Sequence, residues 1–327
     1  MIKLGVIGLG HMGTYHASVS AALPSAQLVG VADAKQENFQ KIKVPNVFCT
    51  TDYQELLPRV DAVIIALPTD MHYAVAKAAL LAGVHVLIEK PLTRTVAQAE
   101  ELFNIAAQKG LTLHVGHVER FNGALQELKK IIQTPYLIEM QRVGPFVPRV
   151  AHDSVILDLM IHDLDIILNL VPAPLDHFNV IGKKISSTNC DIASVQLVFA
   201  DDTLATIFSS RASQIKSRSM SVHQEREFIH LNFATQDLSI HRGAASSIQV
   251  GQDQLRYRQE ALIEHIFVYK DNPLKLEIEH FINAVKSGAA SNRAVEDTAA
   301  LRLTFDIEER LGLRWSSASL PAQAPCL

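Results

Sequence analysis

Short apolar runs alternate with helical stretches over the first 120 residues. Ile2–Ile7, Gln27–Ala32, Ala62–Ala66, Val84–Ile88 and Thr112–Val115 read as strands buried on both faces, with a short one around Val47 and Phe48. Between them, the segment from Gly10 to Ala22, Met71–Leu81 and Val96–Lys109 has helical composition. Gly83 and Gly110 stop the last two. Strand–helix alternation with right-handed crossovers predicts a doubly wound parallel sheet.

The pattern changes after Arg120. Gly123–Ile132 reads as a bridging helix, and Tyr136–Val143 alternates as a half-buried strand. A helix over Val155–Asn169 follows, ended by Pro172 and Pro174. Strands are then expected in succession at Phe178–Ile185, Ile192–Phe199, Leu204–Ser210, Ser219–Phe233 and Leu238–His241, with Asp201-Asp202 as a hairpin turn. Succession with short turns predicts an open, mostly antiparallel sheet. Helices over Leu274–Lys286 and Val295–Leu311 close the pattern, and a loose tail is expected from Ser316. The expected organisation is α/β in two parts, residues 1–120 and residues 121–327.

A chain of 327 residues suits two domains better than one core. Thirty basic and thirty-four acidic residues leave a net charge of -4. That balance offers no field for nucleic acid or an anionic membrane. No leader is expected ahead of the first strand, and no run approaches the roughly 18 apolar residues of a membrane span. Cys49, Cys190 and Cys326 are scattered, which argues against a disulfide framework or a zinc cage and for a reducing, cytoplasmic setting.

Chemistry enters at the strand ends. Gly8-Leu9-Gly10-His11-Met12-Gly13 follows the first strand and opens a helix. Gly8 allows the tight turn, Gly10 lets a pyrophosphate approach the backbone, and Gly13 lets helix and sheet pack closely. Asp33, 20 residues past Gly13, ends the second strand, where a carboxylate can accept from a ribose hydroxyl. This predicts NAD; NADP is less compatible because a 2′-phosphate would meet a like charge, although Lys35 is nearby. Ala66-Leu67-Pro68-Thr69 is expected beside the nicotinamide ribose, and His11 beside the cofactor. Glu89-Lys90-Pro91 ends the fifth strand, at the edge where open α/β sheets bind ligands. Pro91 keeps Lys90 extended.

Asp158, His162 and Asp165 are spaced to share a helical face. Histidine titrates near neutrality and suits removal of an alcohol proton. Lys90 could stabilise the developing alkoxide, or be the base itself if desolvated. A solvated helix face and a metal site are the rival readings. Leu, Met and Ile neighbours weigh against the first, and the lack of a second clustered histidine against the second. Arg120, Arg142 and Arg149 could meet an anionic substrate, or serve as ion-pair partners. His85, inside a strand, reads as structural.

Through the Gly8/Gly10/Gly13 loop, Pro68-Thr69 with His72, Glu89-Lys90-Pro91 and Asp158-x-x-x-His162-x-x-Asp165, nearly the whole chain resembles the glucose–fructose oxidoreductase, inositol dehydrogenase and rhizopine catabolism (Gfo/Idh/MocA) family. The resemblance implies a Rossmann domain and an α/β domain whose open sheet packs into homodimers or homotetramers. It implies catalytic roles for Lys90, His162 and Asp158. Cofactor contacts are implied at Gly8, Gly10, His11, Met12, Gly13, Asp33, Leu67, Pro68, Thr69, His72, Glu89 and Lys90. Substrate contacts are implied at Lys90, Arg120, Asn122, Arg149, Asp158, His162 and Asp165. Val155-Ile156-Leu157 stands where some members carry glycines. His117–Asn122 and Ile156–Asp165 further resemble bacterial enzymes that oxidise the C3 hydroxyl of UDP-N-acetylglucosamine. The competing expectations are an inositol, free-sugar or dihydrodiol dehydrogenase of the same family, a non-catalytic NAD-binding regulator, and a metal-dependent hydrolase. No metal is expected.

Overall fold

The computed structural model describes residues 1–148, 152–250, 255–288 and 294–312. The tail expected from Ser316, with Cys326, lies outside them.

The first half is the expected parallel sheet. Its strands are β1 (Ile2–Ile7), β2 (Ala26–Ala32), β3 (Phe48–Thr50), β4 (Ala62–Ile65), β5 (His85–Glu89) and β6 (Leu113–Gly116), in the order β3-β2-β1-β4-β5-β6. Order reverses beside β1, so a crevice opens there at the strands' C-terminal ends. The helices α1 (His11–Ala22), α2 (Tyr53–Leu56), α3 (Thr69–Leu81) and α4 (Val96–Lys109) connect the strands. Leu4, Val6, Val63, Ile64, Leu87 and Ile88 are fully buried, which explains the unbroken apolar runs. His85 is structural as expected: its Nδ1 accepts from the Thr112 N–H at 2.9 Å.

After α5 (Gly123–Ile131) comes β7 (Leu137–Val143). The segment expected as one helix over Val155–Asn169 is two: a π-helical turn at Ile156–Met160 and α6 (Ile161–Leu170). The second sheet continues with β8 (Leu175–Lys183), β9 (Ile192–Phe199), β10 (Leu204–Ser210), β11 (Ser217–Gln224), β12 (Glu227–Asn232), β13 (Asp237–Val250) and β14 (Leu255–Ile266). Its order is β14-β13-β12-β11-β7-β10-β9-β8, antiparallel except between β7 and β10. The single strand expected over Ser219–Phe233 is a hairpin, turned at Arg226, whose φ is 63°. The expected Leu238–His241 strand runs on to Val250 and pairs with β14, which the sequence reading missed.

The last helices, α7 (Pro273–Ser287) and α8 (Ala294–Arg310), return to the first half. Leu274, Ile278, Phe281 and Ile282 of α7 pack with Leu4, Val6, Ala17 and Leu87. Leu301 of α8 joins the core on the sheet's other face together with Ile161 of α6. Asn272 caps α7, its side chain accepting from the Leu274 and Lys275 N–H groups.

Glu277 of α7 is fully buried and neither carboxyl oxygen has a hydrogen-bond partner. Burial pushes its pKa well above the ordinary value, Glu89 adds to the shift and Arg120 opposes it. Because the folded pKa is raised, this group favours folding below its unfolded value, about pH 4.3, and that contribution is lost as pH rises. Glu277→Gln should therefore gain thermal stability over the parent as pH is raised from 4 to 8. Melting curves showing a constant difference across that range would contradict this account.

Candidate active site

The glycine loop forms because two positions reject any side chain. Gly8 has φ +92°, and a Cβ there would lie 2.5 Å from the Ala66 carbonyl oxygen. A Cβ on Gly13 would stand 1.8 Å from the Gly8 carbonyl oxygen. Gly10 differs: a Cβ there would meet nothing within 4 Å, so its surroundings are open. Gly10 begins α1 without a side-chain cap, leaving the helix N-terminus to an incoming anion. Asp33 faces the loop, accepting from the Leu9 N–H at 2.6 Å, the Lys35 N–H at 2.8 Å and Asn38 at 2.9 Å. Open space, uncapped N–H groups and a fixed carboxylate fit a dinucleotide. His11 is exposed and Met12 half-buried at the start of α1.

On the other side of the crevice, Pro68 precedes α3, and Leu67 packs against Gly8. Thr69 is buried. His72, expected at the cofactor, is instead buried between two backbone carbonyls: Nδ1 is 2.9 Å from Pro91 and Nε2 is 2.8 Å from Leu67. Burial lowers its pKa, outweighing the pull of those carbonyls toward imidazolium. It ties the loop after β4 to the loop after β5.

Glu89 is clamped by His16, Nε2 to Oε1 at 2.7 Å. Burial raises its pKa, but His16 and Lys90 prevail and hold it below the usual carboxylate range. The Lys90–Pro91 bond is cis. The Lys90 ammonium leaves the first half altogether: Nζ donates to the Asp158 carbonyl at 2.6 Å and lies 3.7 Å from the Asp158 carboxylate. Asp158 sits in the π-helical turn, a feature common at functional sites. His162 follows on the first turn of α6, with its Nδ1 buried and lacking a hydrogen-bond partner. Burial first, then Lys90 and Arg142, hold its pKa well below the ordinary histidine value. A neutral imidazole beside a positioned ammonium can accept a proton from a hydroxyl that the ammonium polarises.

Asp165 does not join them. Asp165 keeps ordinary helical spacing from His162 within α6, and it is an ion pair, not helix phase, that takes it out of the group. Asp165 is buried and takes Arg120, Nε to Oδ2 at 2.8 Å, while Arg120 Nη1 reaches Asp297 of α8 at 2.7 Å. Burial lowers the Arg120 pKa, and the two carboxylates more than reverse it. Arg142 is buried likewise, Nε to Asp163 at 2.8 Å and Nη1 to Glu119 at 2.9 Å. Asn122, also expected at substrate, is buried as the cap of α5 and donates to the Phe233 carbonyl at 3.0 Å. These side chains are spent on holding the site, not on facing it. Arg149 lies outside the described residues.

The sequence reading missed Arg218 of β11, half-buried and 3.6 Å from Glu119, which acts on His162. It also gave no role to Asp163, Glu119 or His16, for each needs a partner far along the chain. Among the described residues, no group of three or more His, Cys, Asp or Glu side chains is arranged to hold a metal ion.

Comparison with known proteins fits this architecture. Residues 2–117 match the profile of an oxidoreductase family with an NAD-binding Rossmann fold, GFO_IDH_MocA. The UDP-N-acetylglucosamine 3-dehydrogenase of Acidithiobacillus ferrooxidans is 34% identical over 319 residues, covering 94% of this chain and 97% of that protein. This chain belongs to the Gfo/Idh/MocA oxidoreductase family. It is an NAD(P)-dependent dehydrogenase. Among solved structures of this family, that of the same Acidithiobacillus enzyme superposes with a TM-score of 0.85 at 31% identity, covering 96% and 99% of the two chains. The scyllo-inositol dehydrogenase of Lactobacillus casei, solved with NAD(H) and scyllo-inositol, shares the fold at a TM-score of 0.76 and 18% identity, covering 95% and 97%. Among the described residues no helix is long and apolar enough to cross a membrane.

The internal placement of Arg120 makes a testable distinction. Asp165→Asn leaves a buried guanidinium short of one acceptor and should destabilise the protein by roughly 3 kcal/mol. Denaturant unfolding should show that loss, while the Michaelis constant for substrate changes little. A large rise in the constant with stability intact would place Asp165 against substrate.

Proposed function

We propose that the protein oxidises the C3 hydroxyl of UDP-N-acetylglucosamine to a ketone, using NAD. The observation that carries the reading is the convergence of Lys90 with Asp158 and His162 from the two halves of the chain. The Acidithiobacillus relative, similar along nearly the full length, supports the choice of substrate. Asp33 at the end of β2 supports NAD, because its carboxylate would repel a 2′-phosphate. The division of labour follows the two sheets: residues 1–120 hold cofactor, and residues 121–327 hold substrate and mediate assembly.

Bound NAD would supply the hydride acceptor for the carbinol carbon. The protein's part is the proton and the alignment. His162 takes the hydroxyl proton, because burial and Lys90 keep the ring neutral. Lys90 hydrogen-bonds the same oxygen and stabilises its growing negative charge. Asp158 holds the ammonium in place through its backbone carbonyl. Gly8, Gly10, Gly13 and the start of α1, with His11 and Met12, cradle the pyrophosphate. Asp33 would take the adenosine ribose, and Leu67, Pro68, Thr69 and Glu89 would line the nicotinamide side. His72 supports that side by joining its two loops. Arg120, Asn122 and Asp165 position the site from behind. The protein works in the cytoplasm as a homodimer or homotetramer, built on the outer face of the second sheet, where Tyr136, Ile181, Leu204 and Phe208 are exposed.

Incubation with NAD and UDP-N-acetylglucosamine should produce NADH and a 3-keto sugar. Oxidation of myo-inositol with no turnover of the nucleotide sugar would refute the substrate. Lys90→Met and His162→Ala should each retain NAD binding and lose turnover by about 10²- to 10⁴-fold. The acidic limb of kcat/KM should fall below the ordinary histidine range, since the folded site depresses the base. A limb at or above pH 6.5 would remove His162 from that role.

A further inference from the structure

Resting on the nucleotide-sugar reading above, we propose that Arg218 selects the substrate by binding its phosphate oxygens. β11 and β7 place Arg218 directly opposite Arg142. Like charges opposed across an antiparallel pair are destabilising. Arg142 is neutralised, being 2% exposed and hydrogen-bonded to Asp163 and Glu119. Arg218 is not matched in the same way. Its nearest carboxylate oxygen, Oε1 of Glu119, is 3.6 Å away and already accepts from Arg142 at 2.9 Å. Among the described residues its guanidinium makes no hydrogen bond, although the side chain is only 36% exposed.

A guanidinium carries five N–H donors in a planar fork. Leaving that fork partly desolvated beside a second arginine has a cost that the fold itself does not offset. A phosphate presents paired oxygens that fit the fork. The location suits substrate: Arg218 is close enough to Asp158 and His162 for each to feel its charge. Lys90 comes from just past β5 and Arg218 from β11, and the charge of each lowers the His162 pKa. Lys90 already has the Asp158 carbonyl and carboxylate, whereas Arg218 is left to address the anion. A neutral sugar would offer Arg218 hydroxyl and amide oxygens but no opposing charge.

The test compares the parent protein with Arg218→Met and Arg218→Lys, using UDP-N-acetylglucosamine, UDP alone, N-acetylglucosamine 1-phosphate and free N-acetylglucosamine. In Arg218→Met, the Michaelis constant for the UDP-sugar and the dissociation constant for UDP should each rise on the order of 10- to 100-fold, the loss expected for a charge-assisted contact. The change in kcat should be smaller, and NAD affinity should hold. Arg218→Lys keeps the charge without the fork and should fall between the two, which preserves the test if the methionine variant does not fold. Unchanged constants for UDP and UDP-sugar in both variants would overturn the role of Arg218 and leave the substrate reading standing. If the parent ignored the UDP-sugar but oxidised the sugar 1-phosphate with the same Arg218 dependence, the nucleotide would be wrong and Arg218 right. Equal preference of the parent for free N-acetylglucosamine, with variants unaffected, would overturn both.

Discussion

One hydrogen bond organises this molecule: the Lys90 ammonium, carried by the parallel sheet, donates to the Asp158 carbonyl beneath the other sheet. A lysine has four flexible bonds and is ordinarily a poor tool for alignment. Here each side of the contact is fixed from behind. Glu89 is held by His16, and the Pro91 carbonyl by His72. On the far side, the π-helical turn presents the Asp158 carbonyl and starts α6 with His162 in its first turn. An amine held this firmly is able to serve as a positioned hydrogen-bond donor.

The second constraint is charge buried in pairs. The two further acids of α6, Asp163 and Asp165, each take one arginine from a different segment. Arg142 arrives from β7, and Arg120 from the short helical turn Val118–Phe121 that follows β6. Buried pairs of this kind add little net stability over apolar packing, but breaking one strands a charge. They therefore penalise any rotation of α6 that would carry His162 away from Lys90. The same neutralisation explains the electrostatics around His162. Arg142 depresses the histidine from a fixed distance without itself needing a ligand.

Much of this could be read in the sequence, and what could not has physical causes. Buried strands are continuous apolar runs, so the six parallel strands and three of the four helices between them are legible to within a few residues, while the four-residue α2 is too short to show a period. The steric tasks of Gly8 and Gly13 are legible in the sequence, and the contacts a Cβ would make at those two positions agree with them. The hairpin at Arg226 was invisible because no glycine or proline marks it; an arginine sits at positive φ instead. The π turn was hidden because its composition is that of any buried helix. The sequence leaves the arginines open between substrate and ion pair for a related reason. Whether a guanidinium faces a ligand or a carboxylate depends on partners up to 177 positions away, as with Arg120 and Asp297. Spacing along one helix cannot report that, which is why Asp165 was grouped with Asp158 and His162.

The return of the C-terminal helices bears on how the site keeps its geometry. If the halves met only where the chain crosses near Asn122, the angle between them would be set by a few backbone torsions. Instead α7 packs Ile278, Phe281 and Ile282 into the core of the parallel sheet, and α8 carries Leu301 to its other face. Asp297 of α8 also anchors Arg120, which in turn holds α6. The position of His162 relative to Lys90 is thus fixed by apolar burial on two faces of one sheet and by a buried ion pair. Apolar burial resists small displacements because interiors are close-packed. The ion pair resists them because it weakens with distance and cannot be replaced by water. The geometry of His162 against Lys90 is therefore supplied by residues more than a hundred positions downstream of the histidine, on α7 and α8.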